Sequence, residues 1–426
     1  MNSGNELLDN QKKHLFGKNN QGFWIEKYSY LSVCCLAVSV NLGVACVSIS
    51  TLLVLVAFLL TTGTNFSCFC KRLSSHKSPL SLRFIYAALI WFFVSIIWTQ
   101  VTYLEALIQI MRYSRILIIP LVFFILVSSQ RAWGVLRYLV CAHLFVIGSS
   151  WGMWLGVELP WVIMDDPFHM FYTPFTSTLE QPIMSSVVLT LIFQFRKYFY
   201  AEWGRFATFI SMLAIVMNVG FLMQGRSGYV ALIISIAFCS LWQIKRGFRL
   251  FAFLIPILLA TSLFFASTTF HDRMSKAFTE LNSFADGNIN SSVGTRLEFW
   301  RRSVQAIKIK TLAGYGAGSW PVAYKAALND ETGIVGANNP HEQFLLWGVE
   351  GGVIALVLLI GFYISVYKDA NNIQEEAASR SLKITLCILF VTSIANCPLH
   401  GAGMSEFFCI IIALCFVREK RLCNSL

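Results

Sequence analysis

The chain reads as an all-α, polytopic integral membrane protein of about twelve transmembrane helices, with one large external loop between the ninth and tenth. Three observations predict this class. Of 426 residues, 56% are hydrophobic and 13% charged, and the mean hydropathy is +0.63, well away from the composition of soluble domains. Apolar runs approaching the ~20 residues that cross a ~30 Å hydrocarbon core recur along nearly the whole length. No stretch between them would fold as a soluble domain of ordinary size. The net charge of +11 would suggest nucleic acid in a soluble protein, but here it reads as Lys and Arg kept in cytoplasmic loops. Nucleic-acid binding is therefore set aside.

Residues 1–28 form a polar cytoplasmic tail with Lys12, Lys13, Lys18 and Lys27, so the first apolar run lies too far in for a cleaved signal peptide. Residues 29–270 are expected to hold nine spans, near Leu31–Val47, Ile49–Thr62, Leu82–Trp98, Ile116–Val127, Val135–Gly156, Ile183–Phe195, Phe206–Met223, Gly228–Trp242 and Leu250–Phe270. The first two form one continuous run too long for a single crossing, which predicts a hairpin near Ser48. Residues 271–340 form the external loop, residues 341–418 the last three spans (Gln343–Val366, Ile384–Cys397, Glu406–Val417), and residues 419–426 a cytoplasmic tail.

Charge placement supports this order. With the N-terminus inside, twenty-two Lys and Arg fall in inside segments, and only Arg112, Arg115 and Arg226 fall in short outside ones. Miscounting one early helix would reverse every later loop. Glu158, Asp165, Asp166 and Glu180 lie in an outside loop flanked by Trp154 and Trp161, which read as interfacial belt residues. The twelve cysteines are scattered through apolar runs, and Cys68 and Cys70 have no second pair nearby, so no metal-spaced cluster is present.

The 271–340 connection is too long to be idle. Within it, "RLEFWRRSVQAIKIK" (Arg296–Lys310) carries Leu297, Trp300, Val304 and Ile307 at helical spacing and is expected to lie along the membrane surface. The glycine break "GYGAGS" follows; it lacks the lysine and the strand-to-helix setting of a phosphate loop.

Three motifs carry the candidate chemistry. In "QGRSGYVAL", Arg226 stands at the outer start of the eighth span, where unpaired N–H groups and the helix dipole favour an anion, and its flanking glycines would let backbone approach a ligand. The bland alternative is a snorkelling arginine. In "SSVGTRLEFWRR", Arg296 follows Gly294 at a helix start and is the best candidate for a specific anion contact. Arg301 and Arg302 would serve lipid headgroups, with Arg302 a possible supporting residue. In "NNPHEQFLLWG", Asn339 would cap the tenth span, Pro340 would suit its first turn, and His341 would stand in that turn. A helix N-terminus disfavours imidazolium, so His341 would stay neutral and able to accept a proton from a hydroxyl while the arginines hold an anion. His143 reads as a lone polar residue bonded to a neighbouring helix, and His271 and His400 lack partners at any telling spacing. No acidic pair accompanies the basic site, so neither a catalytic divalent metal nor another cofactor is indicated.

With these residues in this order, the chain resembles the O-antigen ligase family, within the wider group that includes O-antigen polymerases and bacterial protein O-oligosaccharyltransferases. The resemblance rests on the twelve-span layout with a late external loop. It also rests on Gly225-Arg226-Ser227-Gly228, Arg296 with Trp300 before a Gly-x-Gly break, and Asn339-Pro340-His341 followed by Glu350 and Gly351. Glu342 departs from the asparagine that many relatives carry after the histidine. The resemblance implies a Gram-negative inner-membrane glycosyltransferase with a periplasmic site that moves a glycan from undecaprenyl diphosphate onto a sugar hydroxyl of lipid A-core, by inverting displacement. Arg226 and Arg296 would bind the donor diphosphate, and His341 would activate the acceptor hydroxyl. A polymerase or protein glycosyltransferase would share this chemistry. A lipid-glycan flippase or transporter would instead place charges at mid-membrane and show related halves.

Overall fold

The computed structural model describes residues 24–64, 79–127, 133–162, 172–285, 291–328 and 338–417, and every regular element among them is helical. The chain runs α1 (24–39), α2 (Val44–Thr64), α3 (Ser81–Val94, closing in a 3-10 turn Ser95–Trp98), α4 (Tyr103–Tyr113), α5 (Ile118–Leu126), α6 (Gly134–Trp154), α7 (Glu180–Gln194), α8 (Arg196–Met217), α9 (Arg226–Leu241), α10 (Arg249–Ala266), α11 (Thr268–Ala285), α12 (Ser292–Ile309), α13 (Trp320–Ala326), α14 (Gln343–Asn371), α15 (Glu376–Ala395) and α16 (Met404–Phe416). Most of the N-terminal tail, Lys71, Arg72, Lys77, Arg131, Asp165, Asp166, Cys68, Cys70 and the C-terminal tail lie outside the described residues.

Among the described residues seven helical segments are long and apolar enough to cross a membrane, and eight if the bent α10–α11 pair is counted as one. That is fewer than the twelve expected, because several expected spans are short. α7, α9 and α16 have 15, 16 and 13 residues. Neighbours enclose much of their surface instead of lipid: every residue of α16 is buried, as is nearly all of α7. A helix surrounded by protein does not have to match the bilayer thickness.

Four boundaries differ from expectation. The first hairpin lies at 40–43, where Gly43 takes a left-handed φ of +112°, and Ser48 is inside α2. Arg112 and Arg115 are not in a loop: a capping box between Thr102 and Glu105 starts the helix early, and Tyr103–Leu126 reads as one span. The span expected over Leu250–Phe270 breaks at Ser267, where α10 and α11 meet at 98°. There Ser267 Oγ donates to Gly220 O at 2.8 Å, a carbonyl inside the π turn Asn218–Leu222. The described residues of the 271–340 connection hold most of α11 and all of α12 and α13, where the sequence predicted only the helix at Arg296–Lys310.

α14 is the longest helix and carries a built-in break. Gly352 has φ +67°, ψ −165°, which would strand the carbonyls of the preceding turn inside the protein. The "GYGAGS" loop and α3 satisfy them: Tyr315 N donates to Val349 O and Gly316 N to Glu350 O, both at 2.8 Å, and Trp91 Nε1 donates to Gly351 O at 2.8 Å. A Cβ on Gly316 would stand 2.5 Å from Thr99 Cα, so this approach requires glycine. At its far end α14 offers Asp369, whose carboxylate accepts from Leu80 N and Ser81 N at 2.9 Å each and so caps antiparallel α3. α9, α14 and α16 therefore begin at the same end of the bundle where α3 and α15 finish.

Candidate functional site

At that end, α9 opens with Arg226 as its first residue after Gly225. Its guanidinium is paired with Glu280 on α11, Nη2 to Oε2 at 3.0 Å. The flanking glycines make room for protein rather than for a ligand: a Cβ on Gly225 would stand 2.5 Å from Thr178 O, and one on Gly228 2.3 Å from Pro182 Cβ. Their role is to let the start of α7 press against α9. Beside them Gln224 accepts a hydrogen bond from Arg273 of α11, a further arginine in this neighbourhood that the sequence reading did not single out.

α12 starts at Ser291, whose hydroxyl accepts from Gly294 N at 2.9 Å. Arg296 projects from its second turn, and Nη1 donates to Ala395 O at 3.2 Å. The buried face of this helix is Gly294, Glu298, Phe299, Arg302, Ser303 and Ala306. The Leu297–Trp300–Val304–Ile307 stripe expected to organise it lies on the less buried side. Arg302 is buried in structural contacts, Nε to Glu298 Oε1 at 2.8 Å and Nη1 to Ala327 O at 2.8 Å. Arg301 pairs with the same carboxylate. The supporting part expected of Arg302 is thus a packing role that ties α12 to the end of α13.

The start of α14 differs from its expected form. Asn339 does not cap the helix and Pro340 is not in its first turn. The N-cap is Glu342, whose carboxylate accepts from Leu345 N. Asn339 instead holds the residue of interest: its Oδ1 accepts from His341 N at 2.9 Å, a turn that mimics backbone. His341 takes a left-handed φ of +52°, an uncommon conformation for a side-chain-bearing residue. Trp300 Nε1 fixes the preceding carbonyl, Pro340 O, at 3.2 Å, and the imidazole lies parallel to Phe299 with ring centroids 6.4 Å apart. The ring is held just before the helix, in an accessible position, by an α12 aromatic on each side of the turn.

The segment that joins these parts went unremarked in the sequence. It is the turn after α15, residues 395–400. Ala395 O receives Arg296, Asn396 Nδ2 donates to Ser227 Oγ at 3.0 Å, Cys397 Sγ points at Asn339 Oδ1 at 3.9 Å, and Leu399 N donates to Gln343 Oε1 at 3.1 Å. One short turn therefore touches all three motifs. His400, expected to be without partners, shares Nε2 with Gln109 Oε1 at 3.1 Å. His143 does bond its neighbours, with Nδ1 2.8 Å from Asn41 Oδ1 and Nε2 2.8 Å from Ser185 Oγ.

Electrostatics link Arg226 to Arg296 and Arg296 to His341. Desolvation lowers the Arg296 pKa, and repulsion from Arg226 lowers it further. His341 is lowered first by desolvation and then by the positive charge of Arg296, which favours the neutral imidazole. The adjacent Glu342 is pushed up to about 7 by burial, against backbone hydrogen bonds that oppose the rise. Arg296 thus feels the charge of Arg226 on one side and opposes the charging of His341 on the other. Such a place suits an anion of more than one charge, with a proton acceptor at its edge.

Residues 206–360 match a family model described as O-antigen ligase. The matched segment contains Arg226, Glu280, Arg296 and His341 but stops short of the 395–400 turn. No curated protein sequence matches the chain. Over residues 206–360 the chain is therefore similar to the O-antigen ligase family of membrane proteins, and the similarity takes in the three motifs that carry the candidate site.

Proposed function

We propose that the protein is an O-antigen ligase of the Gram-negative inner membrane, with its site at the periplasmic rim, moving a glycan from undecaprenyl diphosphate onto a sugar hydroxyl of lipid A-core. The observation that carries this reading is the convergence of three motifs far apart in sequence on one turn: Arg296 donates to Ala395 O, Asn396 donates to Ser227 beside Arg226, and Leu399 donates to Gln343 two residues after His341. The acceptor oxygen attacks the anomeric carbon, the bond from that carbon to the diphosphate oxygen breaks, and the electron pair leaves with the diphosphate. Arg226 and Arg296 neutralise the charge that collects there, in fixed positions that need no reorganisation during reaction. His341, kept neutral, takes the proton from the acceptor hydroxyl. Attack opposite the leaving group inverts the anomeric centre. The turn at 395–400 holds the arginine-bearing and histidine-bearing elements in register.

The test is to incubate the purified protein in proteoliposomes with undecaprenyl-diphosphate-linked glycan and lipid A-core, without nucleotide, and to identify the products by mass spectrometry. Glycosylated lipid A-core with release of undecaprenyl diphosphate is expected from the wild type and not from His341→Ala. Longer lipid-linked glycan as the sole product would assign a polymerase instead. Movement of intact lipid-linked glycan across the bilayer without any product would assign a transporter.

A further inference from the structure

The segment Tyr103–Leu126 contains an arginine that the proposed chemistry leaves unexplained. Arg112 lies nine residues from the start and fourteen from the end of this span-length segment, about 14 Å and 21 Å along an axis rising ~1.5 Å per residue. Its backbone therefore lies well inside the segment whichever end is counted from. Leu104, Ile108 and Met111, at helical spacing around it, are exposed large apolar residues, so this face is turned toward lipid. An ionised arginine on a lipid-facing surface costs several kcal/mol unless its head reaches the interface or an anion.

Every other charge nearby has a partner. Arg115, one turn on, pairs with Glu406 (Nε to Oε1, 3.1 Å) and donates to His400 O at 2.6 Å. Glu350 accepts from Tyr113 Oη at 2.7 Å and Gln109 Nε2 at 3.3 Å. With its amide nitrogen on Glu350, Gln109 presents Oε1 to His400 Nε2, so that nitrogen carries the proton. Arg112 Nη1, 3.5 Å from the same nitrogen, consequently meets another donor and not an acceptor. Among the described residues no carboxylate pairs with Arg112. Its side chain leans toward the helix N-terminus, as helical side chains do, and ends at His400, in the turn that frames the candidate site.

The two ends of that turn mark two cationic stations. Arg296 meets it at Ala395, and Arg112 and Arg115 meet it at His400. Leu399 is bound between them to Gln343, two residues after His341. With the donor diphosphate on the first station, the second is free for the other substrate. We propose that Arg112 binds a phosphate on the lipid acceptor, with the exposed Leu104, Ile108 and Met111 face receiving its acyl chains. This rests on the ligase reading for the identity of the acceptor, while the phosphate site itself stands on the geometry around Arg112.

The full-length protein is reconstituted in phosphatidylcholine nanodiscs, and binding of bisphosphorylated lipid A and of its dephosphorylated form is measured without donor. Arg112→Gln should weaken binding of the phosphorylated form about tenfold or more, the scale of one lost charge-assisted contact. Arg112→Lys should retain part of the affinity, and dephosphorylated lipid A should bind wild type and both variants equally weakly. In the transfer assay Arg112→Gln should raise KM for phosphorylated acceptor and leave KM for donor unchanged. Equal binding of phosphorylated lipid A by wild type and Arg112→Gln would overturn the site, as would a wild type indifferent to removal of the phosphates, a comparison that needs no variant to fold. Displacement of lipid A by an equal amount of phosphatidylglycerol would overturn the acceptor assignment in favour of ordinary anionic lipid. Arg112-dependent binding in a protein that transfers nothing would overturn the ligase reading and leave the phosphate site standing.

Discussion

Arg226 is ion-paired with Glu280, Nη2 to Oε2 at 3.0 Å, and Arg296 is close enough to feel both charges. A carboxylate thus already occupies one of the two guanidinium groups of the site. A diphosphate entering the same site would compete with it, since two anions cannot share one guanidinium without mutual repulsion.

Glu280→Gln is therefore expected to lower KM for the lipid-linked donor by about threefold to tenfold, equivalent to ~1 kcal/mol of removed competition. Steady-state kinetics in proteoliposomes measure this directly. A rise in KM would instead mean that Glu280 serves to align Arg226.

Arg226→Lys and Arg296→Lys retain charge but lose the planar fork that grips two phosphate oxygens at once. Each is expected to reduce kcat by about a hundredfold, the scale of one preorganised donor removed from a developing anion. Membrane insertion and thermal stability should stay near those of the wild type, and a near-normal kcat in either variant would remove that arginine from the leaving-group site.

Because desolvation and Arg296 both hold the His341 pKa down, its imidazole stays neutral to a pH below the ordinary ~6.5. The acidic limb of kcat/KM should accordingly fall below that value, with a plateau through pH 7. Removing the neighbouring cation weakens the suppression, so Arg296→Gln should shift the acidic limb of the residual rate upward. A downward shift, or none, would contradict the electrostatic coupling of the two residues.

Glu342 supplies a stability test at the same turn. Its buried carboxyl keeps its proton to about pH 7, whereas an unfolded glutamate loses it near ~4.3. Between those values the unfolded state binds fewer protons, so this group's effect on stability becomes less favourable as pH rises, with the full penalty present above pH 7. Glu342→Gln removes the titration and retains an oxygen for Leu345 N. The difference in Tm between variant and wild type should therefore move in the variant's favour from pH 5 to pH 8. A difference independent of pH would mean that the carboxyl is not buried as described.

Much of the fold was legible from periodicity and composition, because a chain in lipid must satisfy its backbone within each helix and advertises this as apolar runs. The helix beginning at Arg226 was visible for that reason, and the helix at Arg296 from its amphipathic spacing, although α12 starts earlier, at Ser292. Less legible were α4 and the 3-10 turn Ser114–Leu117 that follows it, which carry Arg112 and Arg115 in what read as a loop, and the Glu342 cap. Asn339, Pro340 and Glu342 are all acceptable helix-start residues, and only the left-handed turn at His341 decides among them.

The apolar spans, helical architecture, the family resemblance and the three basic residues worth testing were all encoded locally, in hydropathy and in short motifs. Partnership was not. That Glu280 rests on Arg226, that residues 395–400 bind all three motifs, and that Arg302 is a packing residue while Arg112 meets no carboxylate among the described residues became apparent only once the helices were assembled. Hydropathy and capping depend on neighbours within a turn or two of chain, whereas ion pairs and shared turns join residues separated by as many as 291 positions, and only packing brings those together.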